Sequence, residues 1–158
     1  MIHYQPVVIS IWDGMIIVDK YPFSQTMESS EFRSLKGLRV LVVDDDHISQ
    51  QLTSQILRQW QVDADMAANG KLALEMLSRN AYDVVMMDLM MPEMDGYEAT
   101  RTIRSQKEPY FRTLPIFAFS ATPDMEKIMA CEMNGLISKS PIYRDELYRK
   151  ISPFLKTG

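Results

Sequence analysis

The chain has 158 residues, of which 46% are hydrophobic and 24% are charged, a composition typical of one globular domain with a sizeable core. Its net charge of −4 argues against direct binding of nucleic acid, because protein surfaces that bind nucleic acid are usually strongly basic. A single cysteine, Cys131, excludes an internal disulfide and a zinc site built from a cysteine cluster.

Residues 1–22 predict a β-hairpin-like extension. Two strand-like runs, 7–12 and 15–20, flank Asp13-Gly14, a dipeptide that favours a two-residue hairpin turn. The apolar stretch across these runs is too short to span a bilayer, and the chain does not open with the pattern of a signal peptide. We therefore expect a cytoplasmic protein that does not bind a membrane.

The polar, serine-rich segment 23–37 predicts a linker, and residues 38–158 predict a separate domain. The strand-like runs of this domain are apolar at consecutive positions, which is typical of strands buried on both faces, and hence of a parallel sheet. These runs are VLVV at 40–43, VVMM at 84–87, IFAF at 116–119 and LI at 136–137, with a weaker run, VDADMA, at 62–67.

The segments between the strand-like runs have apolar residues at helical spacing. Ile48, Leu52, Ile56 and Trp60 recur every four residues and predict the first helix. Further helices are predicted around 72–77, 95–105, 125–129 and 147–155. This alternation predicts an α/β fold with an open, doubly wound parallel sheet, helices on both faces and right-handed crossovers.

Polar side chains follow four of the predicted strands, at the sheet edge where ligands bind in this fold class. They are Asp44-Asp45-Asp46, Asp88, Ser120 and Lys139. Two carboxylates about 4 Å apart repel by roughly 4 kcal/mol at an effective dielectric of about 20, so we expect a cation to neutralise the acidic group. Ligands that offer only oxygen favour Mg²⁺ or Mn²⁺. A lysine and a hydroxyl beside them suit a phosphoryl group, which a carboxylate can accept covalently.

The domain resembles the receiver domain of two-component response regulators in four segments. They are LVVDDD at 41–46, YDVVMMDLMMPEMDGYEATRTIR at 82–104, LPIFAFSA at 114–121 and GLISK at 135–139. The resemblance covers 38–158, and its most specific part is the stretch from Asp88 to Gly96 with the pattern M-P-x-M-D-G. It implies a five-stranded sheet in the flavodoxin-like order 2-1-3-4-5.

The resemblance also implies roles for individual residues. Asp88 matches the phosphoacceptor, and Lys139 matches the lysine that pairs with the phosphate. Asp45 matches a direct Mg²⁺ ligand, Asp44 a ligand acting through water, and Met90 the residue that offers its backbone carbonyl to the metal. Ser120 matches the hydroxyl residue that follows the phosphoryl group during switching.

Two positions depart from the family pattern. An aromatic residue usually stands three positions before the lysine and completes the switch, and here that position is Leu136. Proline usually follows the lysine directly, whereas Ser140 here precedes Pro141, which predicts a longer loop and raises the question of a cis Ser140–Pro141 bond. Among other polar residues, His47 is expected as a solvated residue in the first turn of a helix. Asp95-Gly96 is expected as a turn and helix N-cap.

The resemblance implies a module that takes a phosphoryl group from a histidine kinase or a histidine phosphotransfer protein. Such a receiver phosphorylates itself, dephosphorylates slowly, and switches a protein-interaction surface. One alternative is a haloacid-dehalogenase-like phosphohydrolase with Asp44 as its nucleophile, and another is a receiver that no longer accepts phosphate. Because no output domain follows the last helix, we expect a single-domain receiver or the C-terminal receiver of a hybrid histidine kinase.

Overall fold

The computed structural model of the protein describes residues 8–12, 15–19, 32–140 and 143–156. The chain divides into two units, Met1–Glu31 and Phe32–Gly158. In the first unit, strand β1 (Val8–Trp12) pairs antiparallel with strand β2 (Met15–Asp19). The Asp13-Gly14 dipeptide predicted to form the turn lies outside the described residues.

The second unit is built on a five-stranded parallel sheet. Its strands are β3 (Arg39–Val43), β4 (Asp63–Ala67), β5 (Val84–Asp88), β6 (Ile116–Ser120) and β7 (Gly135–Ser138). They lie in the order β4-β3-β5-β6-β7, which is 2-1-3-4-5 when the strands are counted from β3. The predicted fold class and strand order are therefore confirmed.

The three central strands carry the core. All residues of β5 and β6 are buried, and so are the last four residues of β3, which explains why these runs are apolar at consecutive positions. The edge strand β4 is polar at its start and half-buried along most of its length. An edge strand has a neighbour on one side only, and its sequence signal is therefore weaker than that of the three central strands.

Helices connect the strands. They are α1 (His47–Gln59), α2 (Gly70–Arg79), α3 (Gly96–Arg104), α4 (Pro109–Thr113), α5 (Met125–Ala130) and α6 (Tyr143–Ile151). The short helix α4 was not predicted, because five residues are too few to display a helical repeat. Helix α6 ends at Ile151 and a 3₁₀ turn follows, so Leu155 lies beyond the helix to which its spacing had assigned it. No helix among the described residues is both long and apolar enough to cross a bilayer.

The apolar stripe of α1 does not coincide with its buried face. Ile48 and Leu52 are 68% and 51% exposed, whereas Thr53 and Leu57 are buried. The four-residue repeat therefore predicted the helix correctly but did not identify the face that packs on the sheet.

The second unit begins before residue 38, although the sequence predicted a linker through residue 37. Leu35 is buried and its backbone N–H donates to the carbonyl of Trp60 at 2.6 Å. The ring of Phe32 stacks on the indole of Trp60 with a centroid distance of 5.4 Å. Two apolar residues within a polar segment thus attach it to the domain, and we call residues 32–38 the strap.

Candidate functional site

The polar residues that follow the strands meet at one edge of the sheet. Asp44 and Asp45 follow β3, Asp88 and Ser120 are the last residues of β5 and β6, and Lys139 follows β7. All five strands run in the same direction, so their carboxyl ends share this edge. Parallel pairing therefore gathers side chains that lie far apart in the sequence.

Three carboxylates form a compact group at this edge. One oxygen from each of Asp44, Asp45 and Asp88 lies within 4.8 Å of the others. Asp44 and Asp88 are buried, whereas Asp45 is exposed. Their mutual repulsion in a partly desolvated site favours a cation, and Asp45 leaves the group open to solvent on one side.

Lys139 places an ammonium between the two buried carboxylates. Its Nζ lies 2.8 Å from Asp44 Oδ2 and 3.0 Å from Asp88 Oδ2. The backbone N–H of Lys139 donates to the carbonyl of Ser120 at 3.0 Å, which holds the start of this loop against β6. The ammonium also lies 4.9 Å from the ring centroid of Phe119, within the range of a cation–π contact.

Asp44 is held by further donors. The backbone N–H of Asp46 donates to Asp44 Oδ1 at 3.0 Å, and the Ser49 hydroxyl donates to Asp44 Oδ2 at 2.6 Å. Asp46 in turn caps α1 by accepting from the Ile48 N–H at 3.0 Å. Both oxygens of the Asp44 carboxylate thus have partners within the protein, and its orientation is set by the first turn of α1.

Asp88 is positioned by the loop that follows it. Its Oδ1 accepts from the backbone N–H of Met90 at 3.2 Å. A Cβ on residue 96 would lie 2.1 Å from the Asp88 carbonyl oxygen, so only glycine fits where α3 begins. Asp95 caps α3 by accepting from the Glu98 N–H at 2.8 Å, which confirms the predicted turn and N-cap.

The two partners of this ion pair have shifted pKa values. Burial raises the pKa of the Asp88 carboxyl, although the Lys139 ammonium and the Met90 N–H oppose that rise. For Lys139, burial acts to lower the pKa of the ammonium, but its hydrogen bonds to Asp44 and Asp88 outweigh burial and raise it. The lysine is therefore charged at neutral pH, and its ammonium neutralises part of the negative charge of the carboxylates.

The remaining predicted residues lie around this group. Ser120 is buried, and its Oγ accepts from the Thr122 N–H at 3.2 Å. Leu136 is half-buried and packs against the hydrophobic core. His47 is exposed in the first turn of α1, as expected. The Ser140–Pro141 bond involves a residue outside the described part of the chain.

Sequence reasoning missed two residues that shape the site. Ser49 contacts Asp44 from the first turn of α1, and nothing in its spacing distinguishes it from other helical serines. Phe119 contacts both the Lys139 ammonium and the Tyr143 ring, at a centroid distance of 5.3 Å for the rings. Its position directly before Ser120 was visible in the sequence, but its contact with an α6 residue depends on the tertiary fold.

Comparisons with known proteins point in one direction. A family model described as response regulator receiver domain matches residues 40–152. Histidine kinase 3 of Arabidopsis thaliana is 30% identical over an alignment that covers 78% of this chain and 14% of the kinase. The transcription factor SKN7 of Saccharomyces cerevisiae is 34% identical over 77% of this chain and 19% of its own length. The chain therefore spans only a small part of these relatives.

Solved structures give the same result for the fold. The receiver domain of a sensor histidine kinase from Pseudomonas aeruginosa superposes with a TM-score of 0.68 at 32% identity, covering 77% of this chain and 99% of that domain. The chemotaxis protein CheY4 of Vibrio cholerae also gives a TM-score of 0.68, at 26% identity, covering 75% of this chain and 98% of CheY4.

Proposed function

The chain belongs to the response regulator receiver domain family of two-component signalling, and from that premise we propose that Asp88 accepts a phosphoryl group from a phosphohistidine. The observation that carries the proposal is the position of Asp88. It ends the central strand β5, with the Lys139 ammonium 3.0 Å from its carboxylate and two further carboxylates close by. Phosphoryl transfer needs positioning and charge neutralisation, and this arrangement supplies both.

In the proposed reaction, a carboxylate oxygen of Asp88 attacks the phosphorus atom of the donor. A P–O bond forms as the P–N bond to the donor imidazole breaks, and the electron pair of that bond goes to the ring nitrogen. Lys139 holds its ammonium where it can pair with phosphoryl oxygens, which neutralises part of the charge on the transferred group. Water later hydrolyses the acyl phosphate and restores the Asp88 carboxylate.

We propose that the acidic group holds Mg²⁺, or Mn²⁺ in its place. Asp45, Asp88 and the backbone carbonyl of Met90 would be direct ligands, and Asp44 would act through water. The fit is chemical, because the three carboxylates offer only oxygen and approach one another within 4.8 Å. The receiver domain from P. aeruginosa carries a magnesium ion in its active-site cleft, which supports a magnesium site in this chain. The bound ion would supply positive charge beside the phosphoryl oxygens.

We propose that the donor is a histidine kinase or a histidine phosphotransfer protein, and that it docks on apolar side chains around the carboxylates. Ile48 and Leu52 lie on the exposed face of α1 that starts beside Asp45, and Met90, two residues after Asp88, is 71% exposed. Large apolar side chains left in solvent around a reactive group are typical of a surface that binds a protein. The histidine kinases among the relatives support this class of partner.

The phosphohydrolase alternative is not favoured. It requires Asp44 as the nucleophile, yet Asp44 is fully buried and its Oδ2 accepts from both Ser49 and Lys139. Asp88 lies at the end of a central strand, and its carboxylate has two partners, the Met90 N–H and the Lys139 ammonium. The Asp44 carboxylate has three, because it accepts from the Asp46 N–H and the Ser49 hydroxyl in addition to Lys139.

The direct test treats the full chain with acetyl phosphate and Mg²⁺ and locates the adduct by mass spectrometry. We expect one aspartyl phosphate, on Asp88, and none in Asp88→Asn, which keeps the size of the side chain but removes the nucleophile. An adduct on Asp44, or an adduct that persists in Asp88→Asn, would contradict the proposal.

A second test separates docking from chemistry. Leu52→Ser should slow transfer from a phosphohistidine donor by about tenfold, since it removes an apolar contact, while leaving phosphorylation by acetyl phosphate unchanged. The matched control is Met129→Ser, which alters a large apolar residue that is also more than half exposed but lies on α5. Equal rates for both variants with the protein donor would place docking elsewhere.

A further inference from the structure

The strap packs between the C-terminal end of α1 and helix α6 through a cluster of three aromatic rings. The ring of Phe32 lies 5.4 Å from Trp60 and 5.0 Å from Tyr148, and Trp60 and Tyr148 lie 5.1 Å apart. The guanidinium of Arg144, also on α6, lies 4.4 Å from the Phe32 ring centroid. Phe32 thus contacts Trp60 at the end of α1 and two residues of α6.

The backbone of the strap forms hydrogen bonds with Tyr148 of α6 and with Trp60 at the end of α1. The Tyr148 hydroxyl accepts from the Arg33 N–H at 2.8 Å and donates to the Arg33 carbonyl at 3.3 Å. The Leu35 N–H donates to the carbonyl of Trp60, the residue that caps α1. A displacement of α6 relative to α1 would therefore break contacts that hold the strap.

The attachment carries an internal cost. Trp60 Nε1 and Arg144 Nε are buried and have no hydrogen-bond partner among the described residues. An unpaired buried donor opposes the gain from ring packing. These two unpaired donors therefore reduce the net free energy that holds the strap in place.

A continuous series of contacts leads from the proposed phosphorylation site to the other end of the contact between α1 and α6. The Lys139 ammonium contacts the Phe119 ring, and Phe119 contacts the ring of Tyr143, the first residue of α6. The Tyr143 hydroxyl lies 3.2 Å from the Thr53 hydroxyl, which is buried on α1. Tyr143 therefore joins α6 to α1 at the end nearest Lys139.

We propose that phosphorylation of Asp88 loosens the strap by way of Lys139, Phe119 and Tyr143. This inference rests on the proposed function of Asp88. A phosphoryl group adds negative charge and acceptor oxygens, and these draw the Lys139 ammonium away from Asp44 and from the face of Phe119. The Phe119 and Tyr143 rings then repack, and the contact between α1 and α6 weakens. The strap continues into residues 1–31, so its release passes the state of Asp88 to the preceding part of the chain.

The test follows Trp60 in the full chain carrying Trp12→Phe, which leaves Trp60 as the single tryptophan. Acetyl phosphate and Mg²⁺ are added, and mass spectrometry measures the adduct on Asp88 in every sample. We expect the Trp60 emission to move to longer wavelength as the indole becomes solvated. Amide exchange at Arg33 and Leu35 should accelerate by about tenfold, because the strap opens more often.

Tyr143→Leu should form the same amount of adduct but lose most of the emission change. The matched control is Phe154→Leu, which removes a ring contact to Phe117, at 6.0 Å, from the same strand but outside the series. This control should keep the full emission change.

Unaltered emission and exchange in the phosphorylated chain would overturn the inference, and so would a full response in Tyr143→Leu. The exchange measurement needs no variant, so it remains decisive even if Tyr143→Leu does not fold. Absence of the adduct from the unsubstituted chain would instead overturn the proposed function, and this inference with it.

Discussion

The Lys139 ammonium lies 2.8 Å from the buried Asp44 carboxylate, and the same nitrogen reaches Asp88 at 3.0 Å. The lysine thus neutralises carboxylates that would otherwise repel each other in a partly desolvated site. Its role is structural before any phosphoryl group arrives, because removal of one partner leaves buried charge uncompensated.

Lys139→Met should therefore lower the free energy of unfolding by about 1–3 kcal/mol in the absence of divalent ions. Mg²⁺ should restore part of that loss by replacing the missing charge, and phosphorylation of Asp88 should slow. Denaturant unfolding with and without Mg²⁺ measures the first two effects. Lys71→Met is the control, since Lys71 forms an exposed pair with Glu93 at 3.5 Å and should change little. A stability equal to the parent without Mg²⁺ would show that Lys139 does not balance the acidic group.

Asp45→Ala should weaken Mg²⁺ binding by at least about tenfold, since it removes the most accessible proposed ligand. The measurement is a titration followed by NMR shifts of residues at the carboxyl ends of β3 and β5. Asp63→Ala is the matched control, because Asp63 is an exposed aspartate at the amino end of β4, at the opposite edge of the sheet. Equal affinities for Asp45→Ala and the parent would exclude Asp45 as a ligand.

Ser120→Ala should still allow phosphorylation of Asp88 but reduce the structural response beyond the site. The buried Ser120 hydroxyl now accepts from the Thr122 N–H, and movement towards a phosphoryl group would release that bond and shift the loop before α5. NMR shifts with and without beryllofluoride should therefore change less in α5 and β7 than in the parent. Ser138→Ala is the control, since Ser138 lies opposite Ser120 in the β6–β7 register. A response in α5 equal to that of the parent would contradict the proposed coupling.

Tyr82, away from the carboxylate site, allows a pH-dependent test of the hydrogen bond between its hydroxyl and Asp65 of the edge strand β4. Burial first, and then the hydrogen bond from its hydroxyl to Asp65 at 2.8 Å, raise the pKa of Tyr82 from 10.0 to about 12. A raised folded-state pKa means that the associated stability is present below about pH 10 and is lost as the pH rises towards about 12.

Asp65→Asn should lower the pKa of Tyr82 while leaving it above 10, because burial remains the largest cause. Phenolate absorbance against pH measures this, with Tyr82→Phe subtracted to isolate the residue. An unchanged midpoint in Asp65→Asn would show that the hydrogen bond does not stabilise the neutral phenol.

The sequence by itself determined the parallel sheet and the polar residues that meet at the carboxyl ends of its strands. Strands β3, β5 and β6 are buried on both faces, and such strands need apolar residues at consecutive positions. A run of this kind can be recognised within a few residues of sequence. Asp88 and Lys139 were predicted as neighbours because the ends of parallel strands share an edge, so strand position alone was sufficient.

Only the tertiary structure decided which residues are covered and which remote residues touch. The repeat of Ile48 and Leu52 predicted a helix, but a repeat cannot tell whether another element covers that face, and here both side chains stay exposed. Phe32 lies in a polar segment whose composition predicted a linker, yet its ring packs on Trp60. Contacts of this kind join residues far apart in the chain, and their free energy depends on the shape of the assembled core, which local patterns do not record.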